Sequence, residues 1–325
     1  MTLKNKSVLV TGGCGFIGSH LVEHLCKENA ERIIVVDNLF LGKISNINSV
    51  LDDTRVVLKI QDAGDYERMK LIFSEFSVDV VLNLAVIPLP ASLIYPKITC
   101  EDNVNITLTL LELQREGFFK TFIQCSSSEA YGSALSKRMD ERHPMLPTTP
   151  YAASKAASDM FVQTYWNTFG GDTVIVRPYN NYGPRQNEKS YAGVIPLTIK
   201  RILDGKKPII YGDGLQTRDY IYVDDTAQSF IDVYNHQNTR GKSINIATGK
   251  EISILDMIKV ISKELNYSGG FIFEKERKGD LRRHCADISL AQKLIGFSPK
   301  TPFEIGIKKT VDWYKSLFAF KEKSI

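Results

Sequence analysis

Short runs of aliphatic and β-branched residues alternate with amphipathic segments of helix length along the first half of the chain. Ser7–Thr11 predicts a strand, Ile17–Glu28 a helix, and Arg32–Asp37 a second strand. Such an order predicts βαβ units and a parallel sheet. Four further apolar runs predict strands at Arg55–Ile60, Val78–Asn83, Thr121–Ser126 and Thr173–Arg177. The predicted fold class is therefore α/β, with a doubly wound parallel sheet.

The pattern changes after Pro178, where a loop rich in Asn, Gly and Pro precedes shorter elements. We therefore expect a first domain over residues 1–178 and a smaller C-terminal α/β lobe over 179–325. Ser243–Ala247 has the composition of a core strand. The chain is thus expected to rejoin the first domain over about 219–249, which leaves mainly about 179–218 and 250–325 in the second lobe.

Composition excludes several classes of function. The net charge is only +4, and no basic run is long enough to follow a nucleic-acid backbone, so we expect no nucleic-acid partner. The chain opens on polar residues and has no apolar run of the ~20 residues that a membrane helix needs, so we expect a cytoplasmic protein. Its 5 cysteines show no CxxC spacing, which indicates reduced thiols and no metal site.

A glycine-rich segment, Thr-Gly-Gly-Cys-Gly-Phe-Ile-Gly at residues 11–18, stands between the first strand and the first helix. In a Rossmann fold such a turn lets a dinucleotide pyrophosphate approach the helix N-terminus. Asp37 ends the second strand, where a carboxylate can accept hydrogen bonds from both ribose hydroxyls and would repel a 2′-phosphate. NAD is therefore the predicted cofactor. The predicted contacts from these segments are Gly12, Gly15, Phe16, Ile17, Gly18, Asp37 and Asn38.

The ends of the third and fourth strands supply further candidate cofactor contacts. Asp62 and Ala63 would meet the adenine, although a helix N-cap explains Asp62 equally well. Leu84 and Ala85 follow the fourth strand on the carboxyl edge of the sheet, where ligands of this fold bind.

Tyr151 and Lys155 have the i, i+4 spacing that places two side chains on one face of a helix. A nearby ammonium favours the phenolate form of a tyrosine, so the pair can remove a proton from a substrate hydroxyl. Upstream, Ser127 follows a predicted strand and can donate to the reacting oxygen. Tyr151, Lys155 and Ser127 are therefore candidate catalytic residues, and the first two also candidate cofactor contacts.

Together these segments resemble the extended short-chain dehydrogenases/reductases that modify nucleotide sugars. The likeness spans nearly the whole chain and includes Ser-Ser-Ser-Glu-Ala-Tyr-Gly at residues 126–132, residues 177–186 and residues 211–225. It implies an NAD-dependent enzyme whose substrate is a nucleotide sugar. It also implies that Asn180, Arg218 and Arg282 contact the diphosphate and that Arg185 belongs to the substrate-binding residues. Members of the family commonly dimerise through helices here near 104–116 and 152–169.

The resemblance further implies the type of reaction. Members begin by oxidising the sugar at C4, and a 4,6-dehydratase then needs a carboxylate that removes the C5 proton, which Glu129 supplies. Ser128 stands where the dTDP-glucose dehydratases carry an aspartate, so Ser128 joins Glu129 as a candidate catalytic residue. We expect a 4,6-dehydratase acting on a nucleotide-linked hexose or N-acetylhexosamine. The alternatives are a 4-epimerase of the UDP-glucose or UDP-N-acetylglucosamine type, a UDP-glucuronate decarboxylase, and a non-catalytic NAD-binding sensor.

Overall fold

A computed structural model describes residues 2–189, 192–276 and 282–322 of the chain. Its centre is a parallel sheet of seven strands in the order β11-β6-β5-β4-β1-β2-β3. These strands are β1 (Ser7–Thr11), β2 (Arg32–Asp37), β3 (Val56–Ile60), β4 (Val80–Asn83), β5 (Thr121–Cys125), β6 (Asp172–Pro178) and β11 (Ser243–Ile246). The six strands predicted in the first half lie within two residues of their expected bounds.

Helices cover both faces of this sheet, as the aliphatic character of its strands requires. Successive side chains of a strand point to opposite faces. Accordingly, Val8 and Val10 belong to one core cluster, which contains Leu21, while Leu9 belongs to another, which contains Leu110. The α/β prediction is confirmed. The helices are α1 (Phe16–Lys27), α2 (Tyr66–Glu75), α3 (Leu89–Ser92), α4 (Pro96–Arg115), α5 (Pro150–Phe169), α6 (Val194–Leu203), α7 (Val223–Asn235), α8 (Ile254–Glu264), α9 (Ser289–Ile295) and α10 (Phe303–Glu322).

A second core lies among elements from the C-terminal half. It joins aliphatic side chains of α6, α8 and α10, such as Ile199, Ile258 and Ile307. Small two-stranded sheets border it: β7 (Asn180–Tyr182) with β10 (Tyr220–Tyr222), β9 (Thr217–Arg218) with β12 (Ile252–Ser253), and β8 (Ile209–Tyr211) with β13 (Ile272–Glu274). The strand predicted at Ser243–Ala247 is β11, which pairs with β6. The division of the chain into two domains at Pro178 stays a prediction.

The structure also bears on membrane-spanning helices, metal sites and disulfide bonds. Within the described ranges, no helix is long and apolar enough to cross a membrane. The same residues contain no group of three or more His, Cys, Asp or Glu side chains placed to hold a metal ion. All five cysteines are free thiols.

Candidate active site

A cavity of about 600 Å³ opens along the carboxyl ends of the sheet strands. Because the loops after β1, β2, β4 and β5 converge there, residues far apart in the chain share its wall. Most of the residues predicted for the cofactor and the reaction line it. They are Gly12, Gly15, Phe16, Ile17, Gly18, Asp37, Asn38, Asp62, Ala63, Leu84, Ala85, Ser127, Tyr151 and Lys155. We call this space the first cavity.

The glycine turn brings the start of α1 close to the sheet. Gly12 has φ +67°, and a Cβ atom there would lie 2.8 Å from the backbone nitrogen of Ala85. At Gly18 a Cβ atom would lie 2.2 Å from the carbonyl oxygen of Gly12. Only glycine fits at either position. The N-cap of α1, Gly15, offers no side chain, so N–H groups at this helix end remain available to an anion.

Asp37 is buried in the wall of the first cavity. Its Oδ2 accepts a hydrogen bond of 2.9 Å from the backbone N–H of Cys14, and its Oδ1 accepts one of 2.8 Å from that of Leu39. Burial raises the pKa of the carboxyl, and the two backbone donors oppose that effect. The carboxylate is therefore held in one orientation and keeps acceptor capacity for a diol.

Asp62 does not cap a helix. Asp65 is the N-cap of α2 and accepts from the backbone N–H of Arg68. Asp62 instead accepts from the backbone N–H of Gly64 at 2.7 Å and from the Asn38 amide at 3.2 Å. The N-cap explanation of Asp62 is therefore wrong, and its place in the first cavity agrees with the cofactor contact.

Tyr151 and Lys155 both reach the first cavity from α5. The Lys155 ammonium donates to the carbonyl oxygen of Cys125 at 2.5 Å, and burial lowers its pKa. Burial raises the pKa of Tyr151, and a hydrogen bond with Ser127 opposes that rise. Desolvation of the phenol is the largest influence on this pKa, and the nearby charges of Glu129 and Asp159 act in the same direction.

Residues 127–132 form what we call the serine turn, which carries the remaining catalytic candidates. The Ser127 hydroxyl accepts from the backbone N–H of Glu129 at 3.2 Å and starts a 3₁₀ turn over Ser128–Tyr131. Ser128 is buried and Glu129 half-buried. The negative charge of Glu129 contributes to the raised pKa of Tyr151, and Ser127 in the same turn is a hydrogen-bond partner of that tyrosine. Neither Ser128 nor Glu129 belongs to the lining of the first cavity.

A fully buried ion pair connects the serine turn to β6 and α5. Arg177 of β6 donates at 2.5 Å to Asp159 of α5 and at 2.5 Å to the Tyr131 hydroxyl. Asp159 also accepts at 2.6 Å from Ser126, the residue before the turn. One guanidinium thus ties the catalytic helix to both ends of the segment that carries Ser127 and Glu129.

The residues predicted to bind the substrate fall into three places. Asn180 and Arg218 line a second cavity of about 490 Å³ in the C-terminal half, together with Lys200, Arg201 and Lys206. Arg185 lines the first cavity and forms an ion pair with Glu23 of α1. Arg282 lines neither cavity, because its guanidinium binds both carboxylate oxygens of Asp213, at 2.7 and 2.9 Å.

Sequence reasoning missed three residues around this site. Asp102 lines the first cavity, and Asn103 beside it binds the backbone N–H and carbonyl of Ile87 and the hydroxyl of Ser154. His284 contacts the serine turn through the carbonyl of Ser128. No motif marks Asp102 or His284. Asn103 follows Glu101 and Asp102 in a polar stretch of α4, where no sequence signal sets it apart.

Comparison with known proteins gives the family. Residues 9–310 match the family model described as GDP-mannose 4,6 dehydratase. A curated relative, a putative UDP-glucose 4-epimerase of Methanocaldococcus jannaschii, is 36% identical over 95% of this chain and 98% of its own length.

Solved structures also resemble this chain over nearly its whole length. A UDP-glucose 4-epimerase of Thermotoga maritima, solved with UDP-glucose, has a TM-score of 0.91 at 32% identity and covers 96% of this chain and 99% of its own. A dTDP-glucose 4,6-dehydratase of Streptomyces venezuelae, solved with NAD, has a TM-score of 0.90 at 31% identity over 97% and 98%. The predicted family and the prediction of an enzyme are confirmed. The chain belongs to the extended short-chain dehydrogenases/reductases, the family of NAD-dependent nucleotide-sugar dehydratases and epimerases.

Proposed function

We propose that the protein is an NAD-dependent nucleotide-sugar 4,6-dehydratase. The observation that carries this proposal is Glu129, a half-buried carboxylate in the serine turn whose backbone N–H donates to Ser127, the hydrogen-bond partner of Tyr151. A dehydratase needs a base for the C5 proton in addition to the tyrosine that acts at C4. Glu129 is near Tyr151 and supplies that base.

The first cavity fits NAD. Gly12 and Gly18 allow the pyrophosphate to approach the start of α1, and Asp37 suits the two ribose hydroxyls. Asp62 and Asn38 form the end of the cavity suited to adenine. When bound, NAD supplies a nicotinamide that takes a hydride from the sugar C4 and returns it, at C6 in a dehydratase or at C4 in an epimerase.

The side chains of α5 and the serine turn carry the proton transfers. Tyr151 removes the proton of the 4-hydroxyl, and Ser127, its hydrogen-bond partner, donates to the same sugar oxygen. Lys155 holds a positive charge in the cavity that favours negative charge on the phenol oxygen. Once C4 is a ketone, the C5 hydrogen is acidic. Glu129 removes it, and the C6 hydroxyl takes up a proton and leaves as water. A proton returns to C5 when the hydride is returned at C6, so the two protons removed, from O4 by Tyr151 and from C5 by Glu129, balance the two supplied.

The second cavity suits the nucleotide end of the substrate. Arg218 and Asn180 lie on its wall, and a guanidinium matches phosphate oxygens because its N–H groups form a fixed fork. Lys200, Arg201 and Lys206 add positive charge. Arg282 reaches a diphosphate only by exchanging its Asp213 partner, and Arg185 remains a candidate contact from the side of the first cavity.

The sugar is a hexose or an N-acetylhexosamine. Ile87, Pro88 and Ala91 form an apolar part of the first cavity. Such a wall accommodates a methyl group, as an N-acetyl substituent carries, better than it accommodates a further hydroxyl.

A 4-epimerase is the second candidate function. It is favoured by the 36% identity to the putative UDP-glucose 4-epimerase, which exceeds the 32% to a dTDP-glucose 4,6-dehydratase of Escherichia coli. An epimerase uses Tyr151, Lys155 and Ser127 in the same way and needs no base at C5.

Mass spectrometry separates the two functions. The purified protein is incubated with NAD and a panel of UDP, dTDP, GDP and CDP sugars that includes UDP-N-acetylglucosamine. A product lighter by one water supports the dehydratase. A product of unchanged mass but altered retention supports the epimerase, and no product from any sugar contradicts both.

We further propose that the enzyme is a cytoplasmic homodimer that pairs through α4 and α5. On α5, Met160 and Phe161 are 55% and 37% exposed, which is costly for apolar side chains unless a partner covers them. Light scattering after size exclusion is expected to give twice the chain mass, and Met160→Glu with Phe161→Glu to give the monomer. A monomeric wild-type protein would contradict the dimer.

A further inference from the structure

His284 lies behind the serine turn and is completely buried. Its Nε2 is 3.2 Å from the carbonyl oxygen of Ser128. A carbonyl oxygen only accepts hydrogen bonds, so Nε2 carries the ring proton and donates it there. Ser128 is the middle residue of the segment that joins Ser127 to Glu129.

The imidazole is neutral. Burial, helped by the charge of Arg218, lowers the pKa of His284 to about 3. Among the described residues Nδ1 has no hydrogen-bond partner. The single N–H of the ring is therefore directed to the serine turn.

One face of the His284 ring contacts a neighbouring aromatic ring, and backbone hydrogen bonds hold the two residues that follow His284. The ring packs against Tyr179 in a tilted arrangement, with ring centroids 5.0 Å apart and planes 32° apart, and Tyr179 lines the first cavity. The next residue, Cys285, accepts from the backbone N–H of Met139 at 2.9 Å, and Ala286 donates to Asp219 at 3.2 Å. These contacts fix the position of the His284 ring and therefore of its Nε2–H donor.

We infer that His284 is a positioning residue for the reaction: by donating to the Ser128 carbonyl it fixes the peptide group that joins Ser128 to Glu129. This inference rests on the proposed function, in which Ser127 acts at O4 and Glu129 at C5. The N–H of the same peptide group donates to the Ser127 hydroxyl at 3.2 Å, and the Glu129 side chain follows it directly. A rotation of that peptide therefore disturbs both groups. Through His284, a residue 156 positions away in the sequence thereby sets the geometry of the serine turn.

The chain offers a matched pair of variants. His284→Phe keeps a ring of similar size against Tyr179 but has no N–H. His284→Gln loses the ring but keeps an amide N–H at about the reach of Nε2. If the donor matters, glutamine restores function. If only packing matters, phenylalanine does.

Two measurements are made on the full-length protein. The first is kcat and KM for the nucleotide sugar that the wild type converts. We expect His284→Phe to lower kcat by on the order of 10²-fold, as misplacement of catalytic groups does, with KM and NAD affinity unchanged, and His284→Gln to recover most of it. The second is amide hydrogen exchange of peptides covering 126–132 with NAD present, which we expect to rise in the phenylalanine variant only.

Each outcome decides the inference. Unchanged kcat and exchange in His284→Phe overturn it, as does a glutamine variant that is no better than phenylalanine. If the wild type epimerises instead of losing water, the same comparison is made on that reaction, because Ser127 acts in both. If the wild type converts no sugar, the proposed function fails, and hydrogen exchange alone supports or overturns the role of His284.

Discussion

The ammonium of Lys155 donates a hydrogen bond of 2.5 Å to the carbonyl oxygen of Cys125, the last residue of β5. This bond joins the catalytic helix to the strand that leads into the serine turn. It places a buried cation one helical turn from Tyr151.

Lys155→Met tests the role of that charge, because methionine preserves the apolar stem and removes the ammonium. We expect kcat to fall by about 10²- to 10⁴-fold, the range for loss of acid–base assistance. Steady-state kinetics measure it, with Lys97→Met, on the exposed surface of α4, as the control. Equal activity of both variants would remove Lys155 from the mechanism.

Glu129→Gln separates the two proposed reactions. The amide cannot remove the C5 proton, so we expect C4 oxidation to proceed and water loss to stop. The absorbance of reduced nicotinamide then accumulates on the enzyme and no lighter product forms. A variant that converts the substrate as fast as the wild type would show that no base at C5 is needed, as in an epimerase.

Asp37→Asn tests the cofactor end of the first cavity. The amide loses two charge-assisted acceptors for the ribose diol, so we expect NAD affinity to fall by about tenfold or more, equivalent to ~1.4 kcal/mol. NADP affinity should stay the same or increase, because the carboxylate no longer repels the 2′-phosphate. Isothermal titration measures both cofactors. An unchanged preference for NAD would contradict the role of Asp37.

Asp159→Asn tests how much the buried ion pair of Arg177 and Asp159, beside the serine turn, contributes to stability. Asp159→Asn leaves the guanidinium buried without its counter-charge, and we expect a loss of about 3–5 kcal/mol in the free energy of unfolding. Urea denaturation measures it. Asp140→Asn breaks the exposed pair with Arg142 and should leave the urea midpoint unchanged. Equal midpoints for both variants would show that the buried pair does not stabilise the fold.

Local patterns predicted most of the sheet and most of the residues that line the first cavity. The β-branched runs predicted the first and last residues of β1 and β2 correctly. The glycine spacing predicted the turn before α1. These features depend on neighbours in sequence, where periodicity is informative.

Contacts between distant segments were not predictable. Ser128 and His284 are 156 residues apart, and only the folded chain brings the imidazole under the turn. Arg282 and Asp213 are 69 residues apart, and only the folded chain brings them into an ion pair. The effect of burial on the pKa of Tyr151 could not be read from the sequence either, because the extent of burial is a property of the tertiary structure.

The most direct measurement of the proposed reaction follows a single deuterium. A nucleotide hexose labelled at C4 is converted by the wild-type enzyme with NAD, and the product is analysed by mass spectrometry and NMR. We expect a product lighter by one water that carries the deuterium at C6. Deuterium retained at C4 of a product of unchanged mass would contradict the dehydratase, and loss of the label to solvent would contradict internal return of the hydrogen altogether.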